Sequence, residues 1–164
     1  MSKLVVLSGI PGSGKSFFSK TLRKVKGSHV YIISSDKLRE EVLGNPQDLS
    51  SDSLIWKMFY EMPKVYSMDK NGIVILDATH MFTSRRIEPI KLLKEYFDEI
   101  DLVYFDIDKT IILNQNLQRD WPVPSDAMES FFAHFEKPND IDSAFFDHIY
   151  TINSSDIAKV IECI

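Results

Sequence analysis

Four short stretches of this sequence carry side chains whose types and spacing suit chemistry on phosphate. The first is GIPGSGKS, Gly9 to Ser16, which fits G-x-x-x-x-G-K-[ST] at every position. In such a loop the glycines let the backbone turn its N–H groups inward, so Gly12, Ser13 and Gly14 form a cradle for the β- and γ-phosphates of a nucleoside triphosphate. Lys15 neutralises phosphate oxygens, and the Ser16 hydroxyl is a ligand for Mg2+. Phe17 is a departure, because many such loops place a second hydroxyl there, against the α-phosphate.

The second stretch is YIISSDKLREE, Tyr31 to Glu41. Asp36 and Arg39 are three apart, so on a helix they point the same way. A carboxylate there can orient an acceptor hydroxyl and take its proton. A neighbouring guanidinium suits an acceptor that already carries a phosphate. The spacing equally allows a plainer reading, in which Asp36 caps a helix and Arg39 is a solvated surface residue.

The third stretch, GIVILDATH, ends an apolar run on Asp77, the place for an acid that helps hold Mg2+ through water or through Ser16. An ordinary turn at a strand end is the alternative, and His80 reads as structural. The fourth, NQNLQRDWPVP, puts Arg119 on a short excursion between two helices, from which an arginine can cover a transferring phosphoryl group. FDIDKT, from Phe105, imitates the nucleophile motif of aspartate-based phosphatases. Too little chain follows to build such a domain, so it reads as the end of a strand.

Elements that place these residues follow from the periodicity. Apolar runs alternate with helical patterns, the signature of a parallel sheet with crossover helices. Strands are expected at about 3–8, 29–34, 72–77, 101–107 and over HIYTI. Helices are expected at about 15–25, 36–43, 52–68, 84–97 and 109–118, with Pro63 kinking or interrupting the third. Met128, Phe131, Phe132 and Phe135 form a stripe on one more helix, read as core, and a short helix closes the chain. Lys20, Arg23, Lys24 and Lys26 crowd the first helix and read as a solvated face. The sum is an α/β fold, a doubly wound five-stranded parallel sheet with helices on both faces and a short lid, in one domain over residues 1–164.

Composition narrows the function further. A chain of 164 residues with 44% hydrophobic residues can bury a real core. No apolar run is long enough to span a bilayer. The single cysteine, Cys163, suits a reducing, cytoplasmic setting. A net charge of −5 argues against broad nonspecific binding along nucleic acid, though not against gripping a strand end with local arginines. A switch GTPase would carry a base-reading N-K-x-D, which does not occur here, and a motor ATPase would need more chain. A small phosphotransferase is favoured.

With these residues in order, the chain resembles the kinase domain of phage-type polynucleotide 5′-kinases and their small P-loop kinase relatives. The likeness rests on GIPGSGKS, on D-x-x-R as Asp36 and Arg39, on LDATH, on SRRIEPIKLL, and on N-x-x-R with V-P as Asn116, Arg119, Val123 and Pro124. It implies a P-loop NTPase fold and transfer of the γ-phosphoryl of ATP, with Mg2+, to the 5′-hydroxyl of a nucleic acid end, DNA or RNA. Asp36 would be the general base and Arg39 would hold the acceptor's neighbouring phosphate. Lys15 and Arg119 would clamp the phosphoryl group in flight. Gln115 stands where such kinases carry a second lid arginine, so a nucleoside, a small metabolite or a hydroxymethyl base within DNA stays open as the acceptor.

Overall fold

The run KLVVLS is buried along its whole length, which explains why it is continuously apolar rather than alternating. It forms β1 (Lys3–Ser8), the centre of the sheet in a computed structural model that describes residues 1–164. Around it lie β2 (Val30–Ser34), β3 (Ile73–Asp77), β4 (Glu99–Phe105) and β5 (His148–Ile152), in the order β2-β3-β1-β4-β5. Every neighbouring pair is parallel.

The helices are α1 (Lys15–Lys26), α2 (Ser35–Leu43), α3 (Asp52–Tyr66), α4 (Thr83–Leu93), α5 (Lys109–Leu117), α6 (Ser125–His134), α7 (Asp140–Ser143) and α8 (Ile157–Cys163). Successive strand residues face opposite ways. Leu4 and Val6 therefore pack with Ile55 and Phe59 of α3 and with Ile90 and Leu93 of α4. Val5 and Leu7 pack with Phe18 and Leu22 of α1 and with Val160 and Ile161 of α8. Helices thus cover both faces, and the sheet is doubly wound as expected. No helix is long and apolar enough to cross a membrane.

Several expectations need correcting. The α3 helix is not interrupted at Pro63 but runs on to Tyr66, with the proline ring buried one turn from the end. There the missing N–H removes one bond, while burial of the ring supports the last turn. The helix expected over 84–97 ends at Leu93 and tightens into a 3-10 turn, Lys94–Tyr96. The fourth strand starts at Glu99 and stops at Phe105, so Asp106 lies beyond it. In the Met128 stripe only Met128 is fully buried; Phe131, Phe132 and Phe135 are half-buried. The expected strand over 29–34 begins one residue later, at Val30. The four basic residues of α1 are all exposed, and three lie in its last turn, where they complement the helix dipole.

Candidate active site

All four chemical stretches meet at the carboxyl edge of the sheet, where open α/β sheets hold ligands. Gly9 leaves the end of β1, and its N–H is anchored on the carbonyl of Thr79, beyond β3, at 3.0 Å. The Ser8 hydroxyl donates to the carbonyl of His80 at 3.0 Å. These two bonds lock the phosphate loop to the extension of β3. Gly12 and Gly14 have φ of 88° and 96°, a left-handed backbone that favours glycine. At Gly12 the space is closed as well: a Cβ would stand 2.7 Å from the carbonyl oxygen of Ile112 in α5.

The residues present fit a triphosphate and a magnesium ion. No side chain caps α1, so its first N–H groups keep their hydrogen-bonding capacity for an anion. Ser13 Oγ is buried without a partner. Lys15 is buried and bends its ammonium back onto the carbonyls of Gly9 and Ile10, at 2.8 and 3.1 Å. Burial pushes that ammonium down to about 8, against the opposing pull of Asp77. The Ser16 hydroxyl donates to Asp77 Oδ2 at 2.9 Å. A hydroxyl beside a carboxylate is the hard oxygen pair that Mg2+ takes. Burial also raises the pKa of Asp77, so a cation would relieve a desolvated charge.

Asp36 is not the cap of α2. That role falls to Ser34, whose Oγ accepts from the Lys37 N–H at 3.3 Å. The Asp36 side chain, 52% exposed, is left to other partners. Arg119 Nη2 reaches its Oδ2 at 3.1 Å, and Arg39 Nη1 stands 3.5 Å from its Oδ1. Arg39 is not the solvated residue of the plainer reading, since its side chain is only 8% exposed. Its other arm, Nη2, donates to Asp52 Oδ1 at 2.8 Å, and the guanidinium lies over the Trp56 ring, 5.6 Å from the centroid.

The lid is built by Asn116, at the end of α5. Its side-chain amide donates to the Val123 carbonyl at 2.8 Å and its oxygen accepts from the Val123 N–H at 3.0 Å. That pair of hydrogen bonds closes residues 117–122 into a loop and explains the N-x-x-R and V-P spacing: asparagine and valine shape the turn that carries Arg119. The Gln47 amide, on the connection between α2 and α3, donates to the carbonyl of Pro122 at 3.0 Å. With the Arg119 to Asp36 contact, this makes two bridges between the lid and the α2–α3 side. Phe17 is 64% exposed beside the loop.

Sequence reasoning gave no role to Arg86, which holds the floor of the site together. Fully buried in α4, it meets Asp142 of α7 through Nε at 2.8 Å and Nη2 at 3.0 Å. It also donates to the carbonyls of His80 and Glu136 at 3.1 and 2.7 Å. His80 has a φ of 41°, is buried, and is held neutral, its pKa pushed by burial down to about 4. A structural reading of His80 fits this setting. Asp52 and Trp56 were also missed as site residues, although their i, i+4 spacing on α3 was visible in the sequence.

A parallel sheet with a phosphate loop after its central strand, and a lid arginine over it, defines a P-loop kinase. Residues 4–138 match the AAA_33 family, described as an AAA domain, and the chain belongs to that P-loop kinase family. It is 25% identical, over 149 residues and 82% of its length, to the L-seryl-tRNA(Sec) kinase of Methanococcus maripaludis. The chain spans about half, 53%, of that relative. Kti12 from Chaetomium thermophilum, in complex with ADP-AlF3, superposes with a TM-score of 0.75 at 18% identity, over 98% of this chain and 96% of that one. A fungal RNA kinase superposes with a TM-score of 0.70 at 14% identity, over 99% of this chain and 42% of that one. At these identities the two structures establish the shared fold.

Proposed function

We propose that this chain, as one catalytic domain, is an Mg2+-dependent kinase that moves the γ-phosphoryl of ATP to the 5′-hydroxyl of a polynucleotide, DNA or RNA. The observation that carries the reading is Asp36: a carboxylate relieved of helix capping, beside Arg39 and opposite Arg119, in the cleft that holds Lys15, Ser16 and Asp77. Asp36 takes the proton of the acceptor hydroxyl as its oxygen bonds to the γ-phosphorus and the bond to the leaving β-phosphate oxygen breaks. Lys15 and Arg119 stabilise the charge that develops on the transferring group. Ser16 and, through water, Asp77 would hold Mg2+, which would supply neutralising charge to the phosphates. A 5′ end suits Arg39, whose guanidinium answers the first internal phosphate. The names of relatives, an RNA kinase and a seryl-tRNA kinase, also support a nucleic acid acceptor. A reducing, cytoplasmic compartment suits the exposed thiol of Cys163.

One observation favours a second acceptor class. Arg39 is already engaged by Asp36 and Asp52, which weakens its call on a phosphate and leaves room for an uncharged alcohol such as a nucleoside. Labelled ATP offered with 5′-hydroxyl oligonucleotides, free nucleosides and hydroxymethylated DNA separates the two. A 5′-phosphorylated oligonucleotide is expected, and labelling of nucleosides alone would replace the first reading with the second.

A further inference from the structure

Arg39 is contested by two carboxylates. Asp36, one turn before it on α2, stands 3.5 Å from Nη1, at the limit of a hydrogen bond. Asp52, on the first turn of α3, stands 2.8 Å from Nη2. The second oxygen of Asp52 accepts from the Trp56 indole N–H at 3.0 Å, so both of its oxygens are committed. Trp56 lies one turn along the same helix, and its ring backs the guanidinium. Arg39 Nε is buried with no partner. The guanidinium is therefore held by its two arms and by the indole face, and by nothing at its neck.

A guanidinium beside a carboxylate frequently closes on it through two parallel bonds. Here a single long contact, Nη1 to Oδ1 at 3.5 Å, takes the place of that pair, and the shorter contact runs to Asp52. A carboxylate gripped by two arginines has its lone pairs occupied and leaves no oxygen free for an acceptor hydroxyl. Arg119 already takes Asp36 Oδ2 at 3.1 Å, so Oδ1 is the oxygen left for an acceptor hydroxyl.

We propose that Asp52 is a positioning residue of the transfer site, drawing Arg39 onto Trp56 so that Asp36 keeps one oxygen for the acceptor and Nη1 of Arg39 stays open to the acceptor's phosphate. The inference rests on the reading of Asp36 as base and Arg39 as acceptor ligand. Asp52 acts through Arg39.

The test is steady-state transfer from labelled ATP to a 5′-hydroxyl oligonucleotide, with ATP affinity measured separately by titration of a fluorescent analogue. Asp52→Ala is expected to raise the acceptor KM about tenfold and to lower kcat several-fold, with ATP affinity unchanged. Asp52→Asn should recover only part of the loss, because its amide oxygen still accepts from Nη2 while its NH2 group cannot accept from the Trp56 indole. Adding Asp52→Ala to Arg39→Ala should cost nothing further, since the positioned group is gone. Wild-type kinetics in Asp52→Ala, or losses that multiply independently with those of Arg39→Ala, would overturn the proposal. Should Asp52→Ala fail to bind nucleotide, Trp56→Phe is read instead, with a smaller rise in acceptor KM expected and an unchanged KM overturning the proposal. If Asp36→Ala keeps full activity, or Arg39→Ala leaves the acceptor KM unmoved, the underlying reading of the site fails, and this inference with it. If both of those variants lose function while Asp52→Ala is normal, only the role of Asp52 is lost.

Discussion

Arg119 and Asp36, 83 residues apart, meet across the cleft with Nη2 3.1 Å from Oδ2. The contact joins the residue assigned to the developing phosphoryl charge with the one assigned to the acceptor proton. Each satisfies the other. Lys15 does the same with the carbonyls of its own loop, and Ser16 with Asp77. Binding at this site must therefore exchange internal partners for external ones.

Asp36 is the first residue to test. Asp36→Asn keeps the shape and removes the proton acceptor, so turnover should fall on the order of 10²–10⁴-fold while ATP affinity stays within a factor of two or so. Single-turnover transfer with nucleotide binding measured in parallel checks it. A variant with wild-type turnover would remove Asp36 from the chemistry.

Arg119→Ala should lower kcat by roughly 10²–10³-fold, the scale for losing one charge-stabilising donor. Arg119→Lys should recover only part of this, because an ammonium cannot copy the planar fork. The ATP KM should change far less than kcat. Equal changes in the two would mean that Arg119 merely binds the nucleotide.

Lys15 gives a pH signature. Its pKa in the free protein lies at about 8, and bound phosphates favour the charged form, so nucleotide binding raises it. Binding should then take up a proton above about pH 8 and none well below it, and ATP affinity should fall as pH rises through that value. Calorimetry in buffers of different ionisation enthalpy reads the uptake directly. Proton release in that range would contradict the assignment.

Arg86 and Asp142 predict a stability effect without a chemical one. Both are fully buried, and Arg86→Met strands a carboxylate in the interior. Breaking such a pair costs about 3–5 kcal/mol, which in a domain of this size lowers Tm by roughly 6–20 °C. Thermal unfolding should show the loss, with residual activity of the folded fraction near wild type below the transition. An unchanged Tm would mean that the pair contributes nothing to the floor of the site.

The parts of this architecture that were legible are those fixed by local spacing. The phosphate loop was visible because its glycines and Lys15 sit within eight consecutive residues after an apolar strand. Asp36 and Arg39 were visible as neighbours on one helix. The choice of Ser34 over Asp36 as cap was not, because either residue could supply the oxygen and only the exact start of α2 decides. Asp52 escaped notice because its bond to Arg39 spans a connection of irregular backbone that no periodicity describes. Arg86 sits between exposed Arg85 and buried Ile87, and nothing in SRRIEPIKLL marks which arginine turns inward. Its partner lies on α7, a four-residue helix too short for a periodic signal, marked only by a capping box between Asn139 and Asp142.

The pair of hydrogen bonds between Asn116 and Val123 carries one more consequence, for conformational entropy. An arginine on an open loop surrenders backbone freedom when its ligand arrives, at about 1–2 kcal/mol per ordered residue, and affinity suffers by that amount. Here the turn is closed by a side chain of the protein itself, so the freedom is lost at folding and the lid meets its ligand already shaped. Asn116→Ala would shift that cost from the folding step to the binding step: in calorimetry, a more unfavourable entropy of ATP binding, with the affinity lowered by a similar factor at every temperature.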